Sequence, residues 1–186
     1  ATVYDGSMVP VLIDGDKVIW ESLAIMEYLA ERFSALGVWP QQADARALAR
    51  SMSAEMHAGF TALRSACPMN LGKRYAARDR GIDCAADVAR ICHLWRKARE
   101  TFGRHSGEPY LFGPFSAADA MYAPVVTRFD TYAIEVPADA RAYMETILGS
   151  AAFSEWRAAA LLEPWFFEAD EIDEVAINDL RNTSTH

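Results

Sequence analysis

Residues 9–11, Val-Pro-Val, sit badly in an ordinary strand, because proline has no N–H to donate to a ladder; Pro10 belongs at a sheet edge or a special turn. A cis Val9–Pro10 bond would bend the chain and turn the Val9 N–H and C=O outward, ready to pair with an extended peptide as an added strand. An edge proline with no ligand is the plainer alternative. Glu21-Ser22 stand at the start of a helix, where unpaired N–H groups and the helix dipole favour an anion. A ligand carboxylate could take the Ser22 hydroxyl and N–H while Glu21 holds a cationic amine; simple capping by Ser22 is the alternative. Glu55-Met56-His57 set a carboxylate and an imidazole roughly 200° apart around a helix, so one chain cannot aim both into one pocket. A hydrogen-bonded, partly exposed helix histidine is the competing account of His57. Arg64, Met69, Asn70 and Arg74 follow where an acceptor pocket could be shaped.

The elements that hold these residues read as follows. Val11–Ile13 and Val18–Trp20 flank Asp14-Gly15-Asp16, and Asp-Gly supplies the positive φ of a tight hairpin. A helix begins at Glu21-Ser22, with Ile25, Met26, Leu29 and Phe33 at one-face spacing. Gly37 and Pro40 break the pattern, and from about Gln41 only helical periodicity remains. Leu48, Met52, Met56, Phe60 and Leu63 predict one long helix ending before Cys67-Pro68. Val88, Ile91, Cys92, Trp95, Ala98 and Phe102 make the clearest stripe. Residues 116–131 are apolar on nearly every side and predict a buried central helix, which Pro124 should disturb. Ser116 and Asp119 match a capping box at its start, a structural pair rather than a catalytic one. Two more helices are expected around Tyr143–Ile147 and Phe153–Ala160, and the acidic stretch from Glu168 to His186 reads as a solvated or frayed end.

Composition narrows the partners. The chain has 186 residues and a net charge of −8, which argues against wrapping a phosphate backbone. No apolar run approaches the roughly 20 residues a membrane helix needs. Cys67, Cys84 and Cys92 form an odd set with no CxxC spacing, which fits neither a disulfide framework nor a zinc site and suits a reducing cytosol. His93, His105 and His186 have no partners at metal-ligand spacing.

Val-Pro-Val-Leu, an Asp-Gly hairpin, Glu-Ser at the next helix start and Ala-Ile-x-Glu-Tyr-Leu follow one another between Val9 and Leu29. In that order they resemble the glutathione-binding half of the glutathione S-transferases of bacterial cytosolic type. The Phe115–Asp119 capping box is similar to the one in that family's second domain. The resemblance implies a mainly α fold with a small α/β part: a partial thioredoxin-like domain at 1–36, an all-helical C-terminal domain at 42–168, and an acidic tail at 169–186. It implies that Val9, beside a cis Pro10, pairs with the cysteinyl backbone of glutathione, and that Glu21 and Ser22 hold the γ-glutamyl amine and carboxylate. Glu55 would reach glutathione across a homodimer interface, His57 would lie close to the thiol, and Met56, His57 and Arg64 would line the substrate pocket.

The implied function is conjugation of the glutathione thiolate to a hydrophobic electrophile in cytoplasmic detoxification. Glutathione would be a co-substrate, with no metal, no membrane and no nucleic acid involved. The alternatives are a glutathione-dependent isomerase or reductase, and a catalytically impaired binding or assembly protein. A hairpin with one helix is marginal alone, so about 40 to 45 residues of further strand and helix are expected upstream of Ala1. The thiol-activating Tyr, Ser or Cys is expected there too, Tyr4 being a poor substitute; a truly shortened chain is the other possibility.

Overall fold

The computed structural model describes residues 9–165, 167–168 and 171–181. Tyr4, His186 and the ends of the acidic stretch lie outside them.

Strands β1 (Val11–Asp14) and β2 (Lys17–Trp20) pair antiparallel with Val11 opposite Trp20 and Asp14 opposite Lys17. Gly15 turns the hairpin with φ +60°, a conformation cheap only without a Cβ. Helix α1 (Ser22–Arg32) follows at once and lays Leu23, Met26 and Ala30 on the hydrophobic core of the helical part. Phe33, which the periodicity placed on the buried stripe, is instead the C-cap and 48% exposed. Trp39, nearly fully buried, anchors the connection into α2 (Ala43–Ala58), and Gln42 caps that helix by accepting from the Ala45 N–H at 2.5 Å.

The long helix expected up to Leu63 is two helices. Helix α2 ends at Ala58, Phe60 turns left-handed at φ 55°, and α3 (Thr61–Ala66) starts afresh. The backbone at Gly59 explains the break. A Cβ there would stand 2.6 Å from the Glu55 carbonyl oxygen, and Asp87 accepts the Leu63 N–H at 3.0 Å, serving a donor of the new helix's first turn.

Helix α4 (Ile82–Ala98) buries Ile91, Cys92, Leu94 and Trp95, and passes into a π-turn at Arg99–Gly103. Helix α5 (Ala117–Thr131) is buried on several faces, as its composition requires, and keeps Pro124 within it. The capping box is present. Asp119, with no exposed surface, accepts from the N–H groups of Leu111 and Ser116, from Ser116 Oγ and from the Tyr143 hydroxyl, all within 3.1 Å. Burial pushes its carboxyl above the usual carboxylate range against the pull of those donors. Helices α6 (Ala138–Leu148) and α7 (Ala151–Leu162) complete the bundle. Its centre is Trp95, whose ring meets those of Tyr122, Phe129 and Tyr143 at centroid distances of 5.7, 5.6 and 4.8 Å.

The acidic stretch is not a solvated end over residues 171–181. Strand β3 (Lys73–Arg74) pairs antiparallel with β4 (Asn178–Asp179). Ile172 and Ala176 pack against the core. Glu171 meets Lys73 at 2.6 Å and Asn70 at 3.2 Å, and Glu174 takes both Nη groups of Arg80. Glu171 and Glu174 are thus matched to Lys73 and Arg80, so charge that reads as solubility serves there as adhesion.

Candidate functional site

The Val9–Pro10 bond is cis and Val9 is 86% exposed, just outside the hairpin ladder. The ladder begins with Val11 opposite Trp20. Pro10 precedes the first ladder pair and Glu21 follows it, so the proline edge and the start of α1 leave the hairpin at the same end. Glu21, not Ser22, is the N-cap, and its side chain makes no capping bond. Ser22 is therefore the first helical residue rather than a cap, which removes the simpler alternative for it. The first turn of α1 has N–H groups that the Glu21 side chain does not cap, and positive dipole character.

Glu21 adopts φ 70°, ψ 121°, a positive φ uncommon for a residue with a Cβ and costly unless the surroundings enforce it. Its carboxylate faces out of the hairpin unit, with Oε2 3.2 Å from Nε2 of His57 in the last turn of α2. No sequence signal links two positions 36 residues apart. A second bridge runs beside it: Arg50 of α2 donates to both carboxylate oxygens of Glu27 on α1, at 2.8 and 2.6 Å. The Ala117 N–H donates to the Val38 carbonyl at 2.7 Å, tying the start of α5 to the linker.

Glu55 points elsewhere, as helical geometry requires. It takes a two-pronged bond from Arg90 of α4 at 2.7 and 2.9 Å, and this partner holds its carboxyl below the usual range. Met56 is buried in the core. Arg64 donates to the His57 carbonyl at 3.4 Å. Asn70 orders its own loop, accepting from the Gly72 and Lys73 N–H groups. Arg74 pairs with Asp130 at 2.5 Å, and Met69 receives Arg128 at 3.6 Å. Within the chain, then, the fold joins Glu21, beside Ser22 at the start of α1, to His57, and holds Glu55, Asn70 and Arg74 in contacts of their own.

All three cysteines are free and buried. Burial pushes the Cys67 thiol up to about 12 and that of Cys92 to about 11, which keeps both protonated and poorly nucleophilic at neutral pH. A cavity of about 720 Å³ lies away from the Glu21–Ser22 end, between the 77–81 loop, α4 and the turn before α6. Among the described residues no helix is long and apolar enough to cross a membrane.

A cis-proline hairpin feeding a helix, set on a mainly helical bundle, defines the class: a thioredoxin-like unit joined to a helical C-terminal part. Comparison with known proteins agrees. Residues 5–31 match the family model described as glutathione S-transferase, N-terminal domain. In structure the chain is similar to a glutathione transferase homologue from Burkholderia gl BGR1 solved with bound glutathione, with 23% identity over 81% of this chain and 72% of that one and a TM-score of 0.55. It is also similar to the theta class glutathione S-transferase of Xanthomonas axonopodis pv. citri with glutathione bound (25% identity, 79% and 70% covered, TM-score 0.52). A glutathione transferase homologue from Sulfitobacter, also with bound glutathione, shares the fold at 19% identity, with 83% of each chain covered and a TM-score of 0.52. No curated protein matches the chain. The chain is thus similar to glutathione S-transferases in sequence across residues 5–31 and in fold across most of its length.

Proposed function

We propose that this protein binds glutathione at the Val9–Ser22 end of the hairpin and conjugates its thiolate to a hydrophobic electrophile. The observation that carries the reading is the exposed cis Val9–Pro10 edge leaving the hairpin at the same end as the start of α1, where the N-cap Glu21 side chain makes no capping bond. Glutathione is an extended tripeptide with a zwitterionic end, and its cysteinyl main chain and γ-glutamyl end each have a matching group. The Val9 main chain offers strand-like pairing to the cysteinyl residue. The Ser22 hydroxyl and the N–H groups of the first turn receive the γ-glutamyl carboxylate, aided by the helix dipole. Glu21 receives the ammonium. The three similar structures with glutathione bound support the choice of ligand.

Held at its cysteinyl main chain and its γ-glutamyl end, the tripeptide presents its sulfur in a fixed place, and this positioning supplies much of the rate. The thiol loses its proton, the sulfur lone pair forms a bond to the electrophilic carbon, and the leaving group departs with its electron pair. His57 is engaged with Glu21, so its part is played at the amine end of the ligand rather than at the sulfur.

Millimolar glutathione should raise the melting temperature of the full-length protein, and Ser22→Ala should shrink that rise. An unchanged melting temperature in both proteins would reject glutathione binding. Turnover of a chromogenic electrophile well above the uncatalysed rate separates the transferase from a binding protein that keeps the site without the chemistry.

A further inference from the structure

We propose that Cys67 and Cys84 form an oxidation site, at which a hydroperoxide entering through the cavity beside α4 converts the two thiols into an intrachain disulfide. The site is separate from the Glu21–Ser22 end of the molecule and does not depend on glutathione binding there.

The pairing follows from how α3 meets α4. The Asp87 carboxylate accepts the Leu63 N–H at 3.0 Å and pins the two elements at that level. Cys67, the C-cap of α3, comes about one turn after Leu63, and Cys84, in the first turn of α4, comes about one turn before Asp87. The same register therefore sets Cys67 beside Cys84, and their side chains lie within hydrogen-bonding reach of each other. Both are free thiols. Cys92 stands roughly 12 Å further along the axis of α4, whereas the Cα atoms of a disulfide lie no more than about 7 Å apart.

Access and electrostatics divide the roles. Cys84 lines the cavity of about 720 Å³ beside Arg80 and Val88, while Cys67 has no exposed surface. Burial raises the Cys84 thiol, and the carboxylates of Asp87 and Asp79 add to this; the hydrogen bond from Cys67 and the Arg80 guanidinium oppose it. The first turn of α4 also favours a negative sulfur. Cys67, pushed up to about 12 by burial and by Cys84, keeps its proton and is the donor of the pair. In the first step the Cys84 thiolate attacks a peroxide oxygen, the O–O bond breaks, and the leaving oxygen takes up the proton that Cys84 gave up. Water departs and Cys84 carries S–OH. In the second step the Cys67 sulfur attacks the Cys84 sulfur, the S–O bond breaks, and the hydroxide leaves as water with the Cys67 proton. Two thiols and one hydrogen peroxide give one disulfide and two waters, the thiols being oxidised and the peroxide reduced. Proximity, not acidity, selects the pair: Cys92 lines the same cavity but stands too far along the helix to join it.

The test is peptide mapping of the full-length protein, first reduced, then treated without denaturant with millimolar hydrogen peroxide at about pH 8, where more thiolate is present. After alkylation, trypsin cleavage at Arg64, Lys73, Arg80, Arg90 and Arg96 releases Cys67 in residues 65–73, Cys84 in 81–90 and Cys92 in 91–96. The expected product is a 65–73 peptide linked to an 81–90 peptide, two hydrogens lighter than their sum and separated by dithiothreitol. Cys92→Ser should form the link as wild type does. Cys67→Ser should abolish it and leave on Cys84 a sulfenic acid that dimedone labels. Absence of the link in wild type, a link that includes Cys92, or a link that forms only after unfolding in urea overturns the proposal.

Discussion

Asp119 and Glu21 show what single residues contribute to the molecule. Asp119 is a buried acceptor serving four donors drawn from the 110–116 loop, the helix start and α6. The capping motif gave away its role at the helix start; its bonds to Leu111 and Tyr143 came from the tertiary fold. Replacing it with alanine strands those donors in the core, each costing on the order of 1–3 kcal/mol when unsatisfied. We expect Asp119→Ala to lose about 3 kcal/mol or more in urea unfolding, and a loss below about 1 kcal/mol would show that the donors find other partners. Glu21 is the converse case: its identity next to Ser22 was legible, whereas its unusual backbone and its partner on α2 were not.

At the scale of elements, the joint between α2 and α4 is a surface staple. Glu55 and Arg90 meet in a two-pronged bond, yet both side chains are substantially exposed (35% and 49%). Solvent screening limits such a pair to less than about 1 kcal/mol, so Arg90→Ala should change the unfolding free energy by no more than that. The sign of its pH dependence follows from the Glu55 carboxyl, which Arg90 holds below its ordinary value. The pair's stabilisation is present above the unfolded carboxylate range and is lost as pH falls through the lowered folded value. Wild type and Arg90→Ala should thus converge in stability in strong acid, and a gap that widens on acidification would contradict this. The split between α2 and α3 belongs to the same scale. Helical periodicity runs on through Gly59, because hydrophobic spacing reports which face is buried and not whether the backbone continues.

For the molecule as a whole, the strap formed by residues 171–181 joins regions far apart in the chain. Arg80 lies over the Tyr132 ring at 4.7 Å with its side chain 7% exposed, and Glu174 neutralises it through both Nη groups. Removing one partner of a buried pair costs more than the pair contributes, since the survivor is left charged in a poor solvent. Glu174→Gln should therefore destabilise the protein by about 3 kcal/mol, read as a lowered urea midpoint at unchanged slope. A neutral outcome would mean that the strap is dispensable to the bundle. The Glu21–His57, Glu27–Arg50 and Val38–Ala117 contacts play the corresponding part between hairpin unit and bundle.

The amino-acid sequence by itself determined the hairpin, the helix start at Glu21-Ser22, the special proline edge, the buried α5 and its cap. Each of these rests on backbone chemistry between near neighbours: a glycine that permits positive φ, a proline without a donor, a side chain within reach of its own helix. Only the tertiary structure decided that α2 stops at Ala58, that Glu21 meets His57, and that the acidic stretch straps β3 instead of trailing into solvent. Those outcomes depend on which charges and surfaces from distant parts of the chain arrive together. Local pattern carries no record of that meeting, because the same acids and the same helical spacing suit either environment until a partner is in place.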